Sequence, residues 1–173
     1  IFEVDVPVVA SGYEVTGYVG ALAKPTDTYG SYATPNATVT ITVDGTDVTA
    51  ETDADGKFIF PEVPDGTYTA TITYAYGFTR TFTIVVNGAD VAGSADEMIG
   101  IVACNWYNDD TSINALDVRQ YLYANGSTVG DANYSRAIDI FNADQTINAL
   151  DLKFYLAFNG FDGTFVAPAY TLQ

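Results

Sequence analysis

The strongest constraint on this chain is a duplicated pattern in its second half. Asn108-x-Asp110-x-x-Ile113-Asn114-Ala115-Leu116-Asp117-x-x-x-Tyr121-Leu122-x-x-Asn125-Gly126 returns 34 residues later as Asn142-x-Asp144-x-x-Ile147-Asn148-Ala149-Leu150-Asp151-x-x-x-Tyr155-Leu156-x-x-Asn159-Gly160. Spaced oxygen-bearing side chains do not recur this closely by chance, so the segment is an internal duplication. Each copy sets Asn and Asp residues ahead of a helix-like stretch. The spacing predicts helices over 115–125 and 149–159, each stopped by Asn-Gly.

The repeated residue types suit calcium, which takes roughly six to eight oxygens from carboxylates, amides, backbone carbonyls and water. A loop of the EF-hand kind supplies them at alternate positions and ends on an acid in the first helical turn. The candidate ligands of the first copy are Asn105, Asn108, Asp110, the Ser112 carbonyl, Asn114 and Asp117. Those of the second are Asp139, Asn142, Asp144, the Thr146 carbonyl, Asn148 and Asp151. Two structural calcium ions are therefore expected, with Ile113 and Ile147 pairing the two loops. Counting twelve positions back from each final Asp lands on Trp106 or Ile140, neither of which ligates through its side chain. The first ligand must then lie one residue earlier, which makes each loop thirteen residues long. Thr111 and Gln145 occupy the place of the usual turn glycine. Asn105 stands where an acid is usual, which predicts weaker binding at the first loop. The plainer alternative is that these residues are N-caps and Asx-turns; agreement between two copies weighs against it.

The first half has a different period. Thr38-Val-Thr-Ile-Thr-Val alternates strictly, and the stretches at 66–74 and 78–86 nearly do, with threonine on one face and β-branched or aromatic residues on the other. Asp44-Gly45, Asp55-Gly56, Pro64-Asp65-Gly66 and Asn87-Gly88 punctuate them as turns. Short strands at this spacing predict a small β-sandwich, and residues 24–36 read as an aperiodic surface loop.

Composition narrows the function. The formal net charge is −16, which disfavours nucleic acid and anionic membrane surfaces as partners. No apolar run is long enough to span a bilayer, so membrane insertion is not expected. The chain has no histidine, which removes the commonest general base and His-ligated zinc. Its single cysteine, Cys104, excludes an internal disulfide and reads as a small buried hydrophobe. Acid pairs such as Asp53/Asp55 fall in a turn rather than across a cleft, so an enzyme is not expected. The start at Ile1 suggests a processed protein or a fragment, and the acidic surface suits an extracellular, secreted or cell-surface setting.

The turn placement over residues 13–87 resembles the carboxypeptidase-regulatory-like (transthyretin- or Ig-like) sandwich modules. The phrases Ile113-Asn114-Ala115-Leu116-Asp117 and Ile147-Asn148-Ala149-Leu150-Asp151 resemble the loop-to-helix signature of dockerins, and the long loops resemble the divergent, ruminococcal-type groups. A sandwich directly before such a unit is similar to an X-module–dockerin pair of cellulosome-type assemblies. That resemblance implies two modules: an all-β sandwich over residues 1–97, then a small all-α dockerin over 98–173 with a short linker helix within 131–137. The calcium loop-helix repeats would occupy 105–126 and 139–160, and the tail 161–173 would run back onto the sandwich or the module's start. It further implies a non-catalytic, calcium-dependent docking role, with a cohesin of a scaffoldin or of a cell-surface anchoring protein as partner. Polysaccharide would be reached through the parent protein. The partner-binding positions would be Ala115, Leu116, Arg119 and Tyr123, and their counterparts Ala149, Leu150, Lys153 and Ala157. Leu116 and Leu150 could equally belong to the module's core; Tyr121, Leu122, Tyr155 and Leu156 read as an inward stripe. A rival reading is a carbohydrate-binding module, for which Tyr29 and Tyr32 in the long loop are the free aromatics.

Overall fold

The computed structural model describes residues 12–107, 110–141, 143–163 and 168–173. Ile1, Asn108 and Asn142, which carried expectations above, and residues 164–167 of the tail lie outside them.

Eleven strands, two α-helices and one short 3-10 helix (Ala95–Glu97) are formed by the described residues. The strands are β1 (Tyr13–Ala21), β2 (Tyr29–Gly30), β3 (Tyr32–Ala33), β4 (Thr38–Val43), β5 (Thr46–Glu51), β6 (Lys57–Val63), β7 (Gly66–Thr73), β8 (Arg80–Val86), β9 (Val91–Ala92), β10 (Met98–Ile101) and β11 (Thr171–Leu172). The helices are α1 (Ala115–Ala124) and α2 (Ala149–Phe158). One sheet runs β2-β10-β1-β3, with β6 and β9 also pairing along β1; the other runs β11-β8-β7-β4-β5. The threonine alternation is realised as expected. Val39 and Ile41 of β4, Ala70 and Ile72 of β7, and Phe82, Ile84 and Val86 of β8 are buried between the sheets, with the intervening threonines outside the core. At the β4–β5 hairpin Asp44 and Gly45 both take left-handed backbone, φ 49° and 79°, as the tight turn requires. The loop at 24–36 contributes the two short strands β2 and β3 to the first sheet.

The expected division into a sandwich and a separate all-α dockerin is corrected. No separate all-α module occurs among the described residues; two ten-residue helices are built onto a molecule dominated by its sheets. The reason is packing. Ile140 and Phe154 of the second repeat lie in the same core cluster as Val15, Phe58 and Ile84 of the sandwich. The Tyr32 ring meets Phe154 at 4.9 Å and Phe141 at 5.0 Å, and Phe78 meets Phe161 at 4.8 Å. The chain also crosses back. β10, just past residue 97, pairs in parallel with β1, and β11 in the tail pairs in parallel with β8, where Leu172 is buried. The linker helix expected in 131–137 is absent: that stretch is a run of turns, with Tyr134 N–H bonded to the Asp131 carbonyl.

Candidate functional site

The two loops close by the same local chemistry. Asn114 caps α1, its side-chain oxygen accepting from Leu116 N–H at 2.8 Å; Asn148 caps α2 through Leu150 N–H at 2.9 Å. Asp117 returns both oxygens to the loop, Oδ1 accepting from Tyr107 N–H at 2.8 Å and Oδ2 from Asn114 N–H at 2.7 Å. Asp151 copies this with Phe141 N–H at 3.0 Å and Asn148 N–H at 2.9 Å. Both carboxylates are buried, so each loop folds around the acid that ends it. The plainer reading of Asn114 and Asn148 is thus realised: their oxygens are engaged as caps.

The other described candidates behave as follows. Asp110 accepts from Ser112 N–H at 3.2 Å and from the Asn114 amide at 2.6 Å; Asp144 accepts from Thr146 N–H at 3.0 Å. The Ser112 and Thr146 carbonyls each take a bond from the following cap amide. Gln145, at the glycine position, adopts φ 69°, and Ala143 adopts φ 51°, so the second loop makes its sharp turn with left-handed non-glycine residues.

The first position of each loop is different in kind. Asn105 is 7% exposed and Asp139 is fully buried, and the Oδ1 atom of each has no hydrogen-bond partner. A buried acceptor left unpaired costs about 1–3 kcal/mol, more when charged. The two atoms fall at equivalent places of the duplication, 34 residues apart. At the second loop, burial pushes the Asp151 carboxyl up, and the Asp139 carboxylate pushes it further, against the backbone N–H groups that stabilise its charge. Among the described residues, no three His, Cys, Asp or Glu side chains form a group that could hold a metal ion.

Ile113 and Ile147 are buried in the same apolar cluster, and their backbone groups bond to the turns beyond the helices. Ile113 exchanges backbone bonds with Gly160 and Phe161, and Ile147 with Gly126 and Ser127. Each loop is therefore tied to the turn after the other helix, and Gly126 and Gly160, φ 86° and 85°, make those turns. Trp106, whose indole N–H donates to the Ala137 carbonyl, stacks between Tyr121 and Tyr155 at 6.2 and 6.3 Å and welds the repeats together.

Of the expected contact residues, Ala115, Leu116, Arg119, Tyr123, Ala149, Leu150 and Lys153 are exposed, and Ala157 is half-buried. The core alternative for Leu116 and Leu150 is not realised. Leu122 and Leu156 are corrected in the opposite direction: they are 63% and 64% exposed. With Tyr121 and Tyr155 turned toward Trp106, the next residue, about 100° round the helix, faces solvent. Sequence reasoning missed Tyr134 and Arg136. Tyr134 donates its hydroxyl to Asp139 Oδ2 at 2.6 Å, and Arg136 donates to the Asp139 carbonyl and, at 3.4 Å, to the Ala33 carbonyl of the sandwich. Neither belongs to the repeat, so no periodic signal marks them. Tyr32, put forward as a free aromatic, packs on Phe141 and Phe154 instead.

No family model matches the chain. Curated relatives include cellulosomal-scaffolding protein B of Acetivibrio thermocellus and cellulosomal-scaffolding protein A of the same species, each 32% identical over 139 residues, or 76% of this chain. The chain spans 17% and 7% of their respective lengths. Among solved structures, a C-terminal interface mutant of a type II cohesin–X–dockerin complex from Acetivibrio cellulolyticus matches with TM-score 0.58 and 26% identity. An N-terminal interface mutant of that complex matches with TM-score 0.56 and 25% identity. Each match covers 88% of this chain and 99% of the other. The chain is thus a module of the cellulosome type. The expected partner is corrected by the same comparisons. The relatives are scaffolding proteins and the similar structures are complexes that contain a cohesin beside the X-module and dockerin, so the expected cohesin partner does not stand.

Proposed function

We propose that this chain is a non-catalytic, extracellular docking module of a cellulosome-type assembly whose two loops are held by calcium. The carrying observation is the pair of buried, unpartnered acceptors, Asn105 Oδ1 and Asp139 Oδ1, at the same position of a duplicated loop. Asn105, Asp110, the Ser112 carbonyl and Asp117 would hold one ion. Asp139, Asp144, the Thr146 carbonyl and Asp151 would hold the other, with Asn108 and Asn142 completing the sets by sequence. Calcium would supply the positive charge that the loops lack and bring them to their folded shape. The finer reading, a dockerin-type loop–helix pair on an X-module-type sandwich, is supported by the repeat and by the similarity to cohesin–X–dockerin complexes.

Docking would use the exposed apolar residues of the helices, Leu116, Leu122 and Tyr123 on α1 and Leu150 and Leu156 on α2, with Arg119 and Lys153 as one cation on each. Apolar side chains held in solvent on two related helices suit a protein interface better than a catalytic cleft. Among the described residues no helix is long and apolar enough to cross a membrane. The test has two arms. Calorimetry on the chelator-stripped chain should find one calcium ion per loop, and Asp117→Ala with Asp151→Ala should remove both. The immobilised chain should then capture a module from a panel of cellulosomal dockerins and other scaffold modules only when calcium is present. No heat of binding refutes the calcium reading, and capture indifferent to calcium refutes its link to docking.

A further inference from the structure

We infer that Tyr134 is a positioning residue for the second calcium loop and makes the two loops unequal; this rests on the calcium reading above. Asp139 has two oxygens with opposite fates. Oδ2 accepts from the Tyr134 hydroxyl at 2.6 Å and from Gln145 N–H at 3.0 Å, while Oδ1 has no donor and no exposure. Two donors on one oxygen fix the rotation of the carboxylate and leave the other as its free ligating atom. The backbone is held as well, since the Arg136 guanidinium binds the Asp139 carbonyl. Partners that orient a metal ligand in this way typically govern affinity by about 10–100-fold.

Among the described residues the first loop has no equivalent of this arrangement. Asn105 is neutral, and among the described residues its side chain is oriented by its own amide, which donates to the Asp110 carbonyl at 3.1 Å. The residue 34 positions before Tyr134 is Gly100, which lies in strand β10, so the repeat carries no hydroxyl to that side. The second loop is therefore preorganised by a residue outside the duplication, and it fills first as calcium rises.

The test is calorimetric titration of calcium into the full, chelator-stripped chain as wild type, Asp117→Ala, Tyr134→Phe and the double variant. Asp117→Ala leaves the second loop as the binding site, and there Tyr134→Phe should weaken affinity by about 10–100-fold. In the otherwise native chain it should leave the weaker, first-loop step unchanged. Incorporation of 3-fluorotyrosine at position 134, which keeps the hydroxyl, should restore wild-type affinity. Equal weakening of both loops, with no recovery on fluorotyrosine, marks a general structural loss and overturns the inference. Two wild-type ions bound with Tyr134→Phe indistinguishable from wild type overturns it alone. A wild-type chain that binds no calcium overturns the underlying reading as well.

Discussion

Phe154→Ala tests whether the helical half and the sandwich are one cooperative body. Phe154 is 4% exposed, shares a core cluster with β1, β4, β6, β7 and β8, and contacts Tyr32 edge-on. Truncating a buried phenylalanine costs about 3–5 kcal/mol, and the loss of its aromatic partners places this site near the middle or top of that range. For a chain of 173 residues each kcal/mol moves the melting temperature by about 2–4 °C, so about 4 kcal/mol predicts a fall of about 8–16 °C. The assay is thermal unfolding in calcium, followed by circular dichroism for the helices, with amide exchange of β7 and β8 followed by mass spectrometry. Both readouts should move together. Gln120→Ala, the same position one repeat earlier and outside the sandwich core, should change stability by about 0.5 kcal/mol or less. The reasoning is refuted if Phe154→Ala melts the helices early while β7 and β8 keep wild-type protection, for then the two halves are independent modules.

Two further predictions rest on single residues. Gly45 and Gly56 both have positive φ, 79° and 74°, but an added Cβ meets nothing within 4 Å at Gly45 and lies 2.3 Å from the Val19 carbonyl at Gly56. In urea denaturation Gly45→Ala should cost about 1–2 kcal/mol, the backbone penalty alone, and Gly56→Ala clearly more; equal losses would show that the β1 contact is unimportant. Cys104 is 1% exposed, and burial raises its thiol well above the usual range, so a thiol reagent should leave it untouched in native buffer and label it in denaturant. Prompt native labelling would show that the segment joining the two halves opens.

Much of the fold was legible because strand alternation and turn chemistry are local. Val39, Ile41, Ile72 and Ile84 fall inward by period alone, and Asp44-Gly45 announces its own turn. The loop-closing acids Asp117 and Asp151 were legible for the same reason, each acting within its own loop and first helical turn. What escaped was non-local. β11 returns to β8 from the far end of the chain, and two residues carry too little pattern to reveal it. Tyr134 reaches Asp139 through turns in which a helix was expected. Leu122 and Leu156 were assigned inward because helical spacing identifies a stripe but not its edge. That edge is set by Trp106, which draws Tyr121 and Tyr155 toward it.

The places where the two repeats disagree carry the remaining information. Trp106, Tyr107 and Gln120 of the first copy correspond to Ile140, Phe141 and Phe154 of the second. All three changes make the second copy more uniformly apolar, and all three second-copy residues pack into or against the sandwich core. In the first copy Trp106 instead lies in the smaller cluster between the helices. Identical positions therefore serve what each repeat does for itself: closing its loop, capping its helix and pairing with its twin. Divergent positions serve what only one repeat does, which is to join the sheets. A duplicated unit starts with two equivalent faces, and burying one of them selects for apolar residues there while leaving the other free to stay polar. The same logic extends to Tyr123 and Ala157: the tyrosine is 72% exposed, whereas the alanine is half-buried against the inter-helix cluster. The two helices thus present unlike surfaces, so any partner meets them as distinct sites despite their common sequence.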